Sequence, residues 1–174
     1  MSSPRRTTSQ RVRDMKTYIG IDNGVSGTVA VLADGFKIFS KTPVKNVQDY
    51  TKRKKRLSRL DAVAFDDILT QADPEDSIIV MERPMINPTR FAATESALRC
   101  HEAMLVLIER RGIPYMFVDS KEWQRDMLPK GCSGDDLKKM SKEVGDRLFP
   151  KFSDFKHPDR DALLIAEWAR RKGL

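Results

Sequence analysis

Residues 17–41 read TYIGIDNGVSGTVAVLADGFKIFSK, and the fold can be argued outward from this stretch. Residues 17–22 are β-branched, aromatic and apolar until Asp22, which stands directly before the turn pair Asn23-Gly24. A second apolar run, 27–33, is closed by Asp34-Gly35, and a third strand pattern follows at 36–41. Two short turns in succession predict an antiparallel meander of three strands.

Beyond the meander the periodicity changes. Leu60, Val63, Ala64, Ile68 and Leu69 recur at helical spacing, which predicts a helix over 60–72. Residues 77–82 (SIIVME) form a short apolar run ending in Glu82, the pattern of a buried central strand. A long helix is expected over 92–111, closed by Gly112, and a fifth strand over 114–119. Two more helices are expected: 135–149, with Ser133 as N-cap, and 158–171, with Pro158 at its first position. Three meander strands followed by helix-connected strands predict an α/β fold, a mixed five-stranded sheet with helices on both faces.

The bulk properties are compatible with this. The 174 residues are 40% hydrophobic and 33% charged, enough for one domain with a true core and not the composition of a disordered chain. No apolar run approaches membrane-spanning length, and the polar start predicts no secretory segment. Cys100 and Cys132 are too few for a disulfide framework and lack zinc-binding spacing. The expected setting is the cytoplasm, near the nucleoid, or an equivalent reducing compartment that contains DNA.

The charge is uneven. The chain carries a net +7, favouring an anionic partner. Residues 1–16 read as a flexible basic tail, leaving 17–174 as the folded domain. A second cluster, Lys52, Arg53, Lys54, Lys55 and Arg56, reads either as a solvated loop or as a phosphate-binding one, because such dense charge repels itself without an anion. Lys121 reads as a phosphate contact or a solvated helix residue. On the helix 92–111 the apolar face (Ala97, Leu98, Met104, Leu105 and Ile108, widened by Cys100, Ala103 and Leu107) exceeds what packing on a sheet requires. Either another helix of the chain covers the excess or a second subunit does.

Three carboxylates stand where chemistry is often placed. Asp22 and Glu82 end apolar strands, and Asp161 lies in the first turn expected for the last helix. Each alone is a common structural position. If the first and fourth strands are adjacent and parallel, Asp22 and Glu82 meet at one sheet edge, where mutual repulsion calls for a cation. Mg²⁺ suits such oxygen donors, and Asp161 would complete ligands for two ions. His157 reads as a ligand, a general base or a surface capping residue.

In order along the chain, YIGIDNGVSGTVAV (18–31), IVME (79–82) and HPDRDALLIA (157–166) resemble the RuvC family of Holliday junction resolvases, within the ribonuclease H-like superfamily. Residues 53–61 and the closing segment look most like the chloroplast branch. The resemblance implies a homodimeric, Mg²⁺- or Mn²⁺-dependent endodeoxyribonuclease, with two ions per site and no small-molecule cofactor or membrane partner. It would cut opposing strands of a four-way junction in DNA recombination and repair. Asp22, Glu82 and Asp161 match three of its four site positions. The usual fourth position is Pro158 here, which cannot coordinate, so His157 or Asp159 must substitute. His157 is favoured, since residues four apart on a helix share a face. Some members place an aromatic wedge where this chain has Met85; Met85, Ile86 or Phe91 would serve. The competing functions are a ribonuclease H acting on RNA–DNA hybrids and a non-catalytic nucleic-acid-binding module. The kinase-like phosphate loop that residues 20–27 also resemble would need a much longer chain.

Overall fold

The computed structural model describes residues 16–52 and 55–174. The expected basic tail, apart from Lys16, lies outside the described residues, as do Arg53 and Lys54.

The meander forms as expected: β1 (Thr17–Ile21), β2 (Thr28–Ala33) and β3 (Phe36–Lys41) pair antiparallel. After them come β4 (Val44–Gln48), β5 (Arg56–Leu60), α1 (Ala62–Leu69), β6 (Ser77–Glu82) and α2 (Phe91–Arg111). The chain closes with β7 (Tyr115–Val118), α3 (Ser120–Met127), α4 (Asp136–Leu148) and α5 (Asp161–Lys172). The main sheet has five strands in the order β3-β2-β1-β6-β7, with β1, β6 and β7 parallel. Ile21 pairs with Met81. The next residues along, Asp22 and Glu82, therefore leave the sheet at the same carboxyl edge.

Alternation along the strands sorts two cores. Ile19, Ile21, Val29, Val31, Ile79 and Met81 face α1 and α2, packing on Phe65, Leu69, Cys100, Met104 and Ile108. Tyr18, Ala30, Leu32, Val80 and Val118 face the other helices, packing on Trp123, Val144 and the apolar face of α5. Fully burying each such aliphatic side chain contributes about 1.5–3 kcal/mol.

Helix α5 lies directly on β1. A Cβ at Gly20 would stand 2.1 Å from the Ala162 carbonyl oxygen and 2.6 Å from the Ala166 nitrogen. Only glycine permits that approach, and Ala162 and Ala166 on α5 are fully buried beside it. This contact sets the first turn of α5 beside the end of β1.

Several boundaries differ from expectation. Residues 44–60 contain a two-stranded antiparallel hairpin, β4–β5, separate from the main sheet. Its polar strands, VKNVQ and RLSRL, lack the apolar run that marks a core strand. Leu60 belongs to β5, and α1 starts after Asp61, whose carboxylate accepts from the Ala64 N–H at 3.3 Å. Lys121 lies on a short amphipathic helix, α3, for which the sequence pattern gives no bounds. Ser133 is not the N-cap of α4; that position is Asp135, without a side-chain cap bond. Helix α5 starts at Asp161 rather than Pro158, because the side chain of Arg160 holds 153–159 in a non-helical path. On α2, Cys100, Met104 and Ile108 are buried, while Leu98 and Val106 remain exposed. Among the described residues no helix is long and apolar enough to cross a membrane.

Candidate active site

Asp22, Glu82, Asp159 and Asp161 come together at the carboxyl edge of the sheet. Asp22 follows β1, where its N–H donates to the Thr28 carbonyl at 3.0 Å and so begins the return into β2. Glu82 is the last residue of β6. Its Oε2 accepts from the indole Nε1–H of Trp123 on α3 at 2.7 Å, which fixes the carboxylate against a fully buried ring. Asp161 opens α5 and accepts from the Ser141 hydroxyl on α4. Asp159 lies two residues before it, with its Oδ1 3.4 Å from the Asp161 N–H.

One oxygen from each of Asp22, Asp159 and Asp161 lies within 4.8 Å of the other two. Glu82 stands outside that trio, yet close enough for its charge to raise Asp22 and Asp161. His157 sits behind the trio: Nδ1 is 3.2 Å from Asp159 Oδ1, and Nε2 is 3.1 Å from the Ser26 carbonyl oxygen. It is not helical, so the shared helix face expected for His157 and Asp161 is absent. The geometry gathers Asp159 with Asp22 and Asp161, and His157 braces Asp159.

The electrostatics match the crowding. Loss of hydration, then the charges of Asp161, Glu82 and Asp159, raise the Asp22 carboxyl well above its ordinary range. Burial and then Asp159 push Asp161 up to about 7, against the lowering effect of the Ser141 hydrogen bond. Burial also raises Glu82, opposed by the Trp123 bond. Lys138 on α4 is the cation that partly offsets Asp22 and Asp161. Carboxylates so placed are poised for a hard cation. The donor set, all carboxylate oxygen within one ion's reach, fits Mg²⁺ or Mn²⁺.

Two of the expected nucleic-acid contacts, Met85 and Lys121, border Glu82. A groove of about 610 Å³ runs from Glu82 past Met85, Lys121, Gln124 and Arg125 to the loop before α4. Met85 and Ile86, between β6 and α2, and Phe91, the first residue of α2, are strongly exposed rather than packed into the loop. Lys52, Lys55 and Arg56 are exposed at the far end of the β4–β5 hairpin. The reading of the sequence missed Trp123, Lys138, Ser141 and Arg160. Trp123, Lys138 and Ser141 lie in no strand-end or helix-start acidic pattern, and only the packing of α3 and α4 brings them to the site; Arg160 stands between Asp159 and Asp161, but its burial is not legible from that position.

No protein-family model matches the chain, and no curated protein matches it. Solved structures do. Thermus thermophilus RuvC in complex with a Holliday junction substrate superposes with a TM-score of 0.53 and 15% identity, over 91% of this chain and 96% of that one. A second structure of Thermus thermophilus RuvC gives a TM-score of 0.48 and 14% identity, over 90% and 96% of the two chains. The chain has a RuvC-like, ribonuclease H-like fold.

Proposed function

We propose that this protein is a metal-dependent endodeoxyribonuclease that resolves four-way DNA junctions by paired, symmetric cleavage. The observation that carries the reading is the acidic group of Asp22, Asp159 and Asp161, with Glu82 beside it, at one edge of a RuvC-like sheet. The structural neighbour with that fold was solved on a Holliday junction, which supports the same class of substrate here.

Asp22, Glu82, Asp159 and Asp161 would hold the metal, and His157 is the alternative to Asp159. A pair of Mg²⁺ or Mn²⁺ ions there would supply a water activated for attack and charge to stabilise the leaving oxygen of a phosphodiester. The protein's own contribution is orientation. Trp123 fixes the Glu82 carboxylate, Ser141 fixes Asp161, and His157 steadies Asp159. Lys121 and Arg125 border the groove at Glu82 and suit a phosphate backbone. Lys52, Arg53, Lys54, Lys55 and Arg56 would hold a DNA arm, and Met85, Ile86 or Phe91 would press on the unpaired junction centre.

Cutting opposing strands needs two sites. The exposed apolar residues Leu98 and Val106 on α2 support a two-fold dimer through that helix. In this reading residues 17–174 are the nuclease domain and the preceding residues a basic tail. The protein would act in recombination and repair, in a reducing compartment that holds DNA.

The test is incubation of labelled four-way junctions, linear duplex and RNA–DNA hybrid, with and without Mg²⁺. The expected result is symmetric paired nicks in the junction alone, abolished by chelation. Preferred cleavage of the hybrid would establish the ribonuclease H reading instead. Junction binding without cleavage in either metal would establish a binding module. Sedimentation should give a dimer; a monomer at micromolar concentration that still resolves junctions would remove the α2 interface.

A further inference from the structure

The segment 149–160, between α4 and α5, presents Asp159 and Asp161 yet has no regular secondary structure beyond the 3₁₀ turn Pro150–Phe152. Its carbonyl groups must therefore find partners elsewhere. Backbone N–H groups of the segment serve the oxygens of Phe149, Pro150, Phe152 and Phe155, and one side chain serves five. Arg160 is fully buried, and its guanidinium donates to the backbone oxygens of Phe152 at 3.2 Å, Ser153 at 3.3 Å, Phe155 at 3.1 Å, His157 at 3.1 Å and Asp159 at 2.8 Å. Its Nε donates to Asp146 Oδ1 on α4 at 2.7 Å. Its backbone N–H donates to the Ser141 hydroxyl at 3.0 Å, and the same hydroxyl donates to Asp161. Gly145 makes room for the stem: a Cβ there would stand 2.3 Å from the Arg160 Cβ.

A buried guanidinium is costly unless its donors are satisfied, and here the donors are matched to the loop that carries the acids. Lysine cannot reproduce this fan, since an ammonium has three donors and no planar fork. We infer that Arg160 is a positioning residue for metal binding: it fixes the path of 152–160 on α4, so that Asp159 and Asp161, on either side of it, converge on Asp22. Loss of the fan frees the two acids from each other while leaving the sheet and the basic surface in place. The inference rests on the metal-site reading above.

The experiment measures Mn²⁺ binding to the nucleic-acid-free protein by electron paramagnetic resonance, beside melting temperature and junction affinity in Ca²⁺. Arg160→Lys should weaken Mn²⁺ binding about 10- to 100-fold, the range found when residues supporting metal ligands are lost. Junction affinity should stay within about twofold, because the phosphate contacts lie elsewhere. Asp146→Asn and Gly145→Ala disturb the same side chain without replacing it and should weaken Mn²⁺ in the same direction, by about three- to tenfold. If Arg160→Lys does not fold, those two variants decide the matter. Folded variants that bind Mn²⁺ within twofold of the unmodified protein would overturn the inference and leave the metal site standing. No Mn²⁺ binding by the unmodified protein would overturn both.

Discussion

At the acidic edge of the sheet, Glu82, Asp159 and Asp161 are each held by a named side chain, Trp123, His157 and Ser141. On the β4–β5 hairpin the opposite holds. Lys45 and Arg59 face each other across the strands, and neither they nor Lys52 and Lys55 have an ion-pair partner among the described residues. Like charges directly opposed destabilise a strand pair unless an anion lies over them. One region has its charges fixed by burial and hydrogen bonds; in the other Lys45, Lys52, Lys55 and Arg59 are exposed to water. The first suits chemistry, where position decides the rate, and the second suits phosphate binding, where charge density decides affinity.

The largest expected effect separates the two regions. Asp22→Asn or Glu82→Gln should lower single-turnover cleavage by about a thousandfold or more while junction affinity in Ca²⁺ is kept. Activity within tenfold of the unmodified protein would remove that residue from the site. Loss of binding in step with cleavage would mean that the two regions do not divide the work.

The converse change is made on the hairpin. Replacing Lys52, Arg53, Lys54, Lys55 and Arg56 together with alanine should weaken junction binding and flatten its salt dependence. Each phosphate contact releases about one counterion, so the log–log slope should fall by roughly three to four. Cleavage at saturating enzyme and low salt should recover. A slope changed by less than about one unit would leave the hairpin as solvated surface.

These two regions also differ in how well the sequence reveals them. Asp22 and Glu82 could be placed because apolar strands lead to them, and burial on both faces fixes strand register. Asp159 was harder to place. Pro158 looks like a helix start, which would put His157 and Asp161 on one face. The start is displaced by Arg160, whose hydrogen bonds to carbonyls of residues 152–159 no local pattern announces. The hairpin strands escape notice for a different reason. VKNVQ and RLSRL carry too few apolar residues to mark strands, and what holds them is pairing with each other and the burial of Leu60 in the core. Helix α3 was hidden by its length, since eight residues give only two turns of periodicity.

A smaller effect tests whether the acidic edge depends on its supports. Trp123→Phe keeps most of the ring's packing and removes the N–H that holds Glu82. Cleavage should fall about tenfold, in keeping with the usual cost of losing a residue that orients a metal ligand. Junction affinity should not move. An unchanged rate in a folded variant would show that Glu82 is held by packing alone.

The smallest effect concerns stability, and its sign follows from the same crowding. Asp161 titrates near 7 in the folded chain, raised chiefly by burial and by Asp159, whereas an unfolded aspartate titrates near 4. Between those values the folded protein holds a proton that the unfolded chain has released. Stability from this group is therefore present below about pH 4 and is lost as pH rises through about 7. Asp22 is raised as well and acts in the same direction. In EDTA, Asp161→Asn should melt a few degrees above the unmodified protein at pH 8, since 1 kcal/mol is worth about 2–4 °C in a chain of this size. At pH 5 the gain should largely vanish, because Asp161 is then already protonated and the amide no longer removes a charge. The asparagine keeps an oxygen for the Ser141 hydroxyl, and its lost charge at the α5 N-terminus costs at most about 1 kcal/mol. Added Mn²⁺ should reverse the order at pH 8, stabilising the unmodified protein more than the variant. An equal difference in melting temperature at pH 5 and pH 8 would show that Asp161 is not under charge strain, and the contrast with the hairpin would then rest on geometry alone.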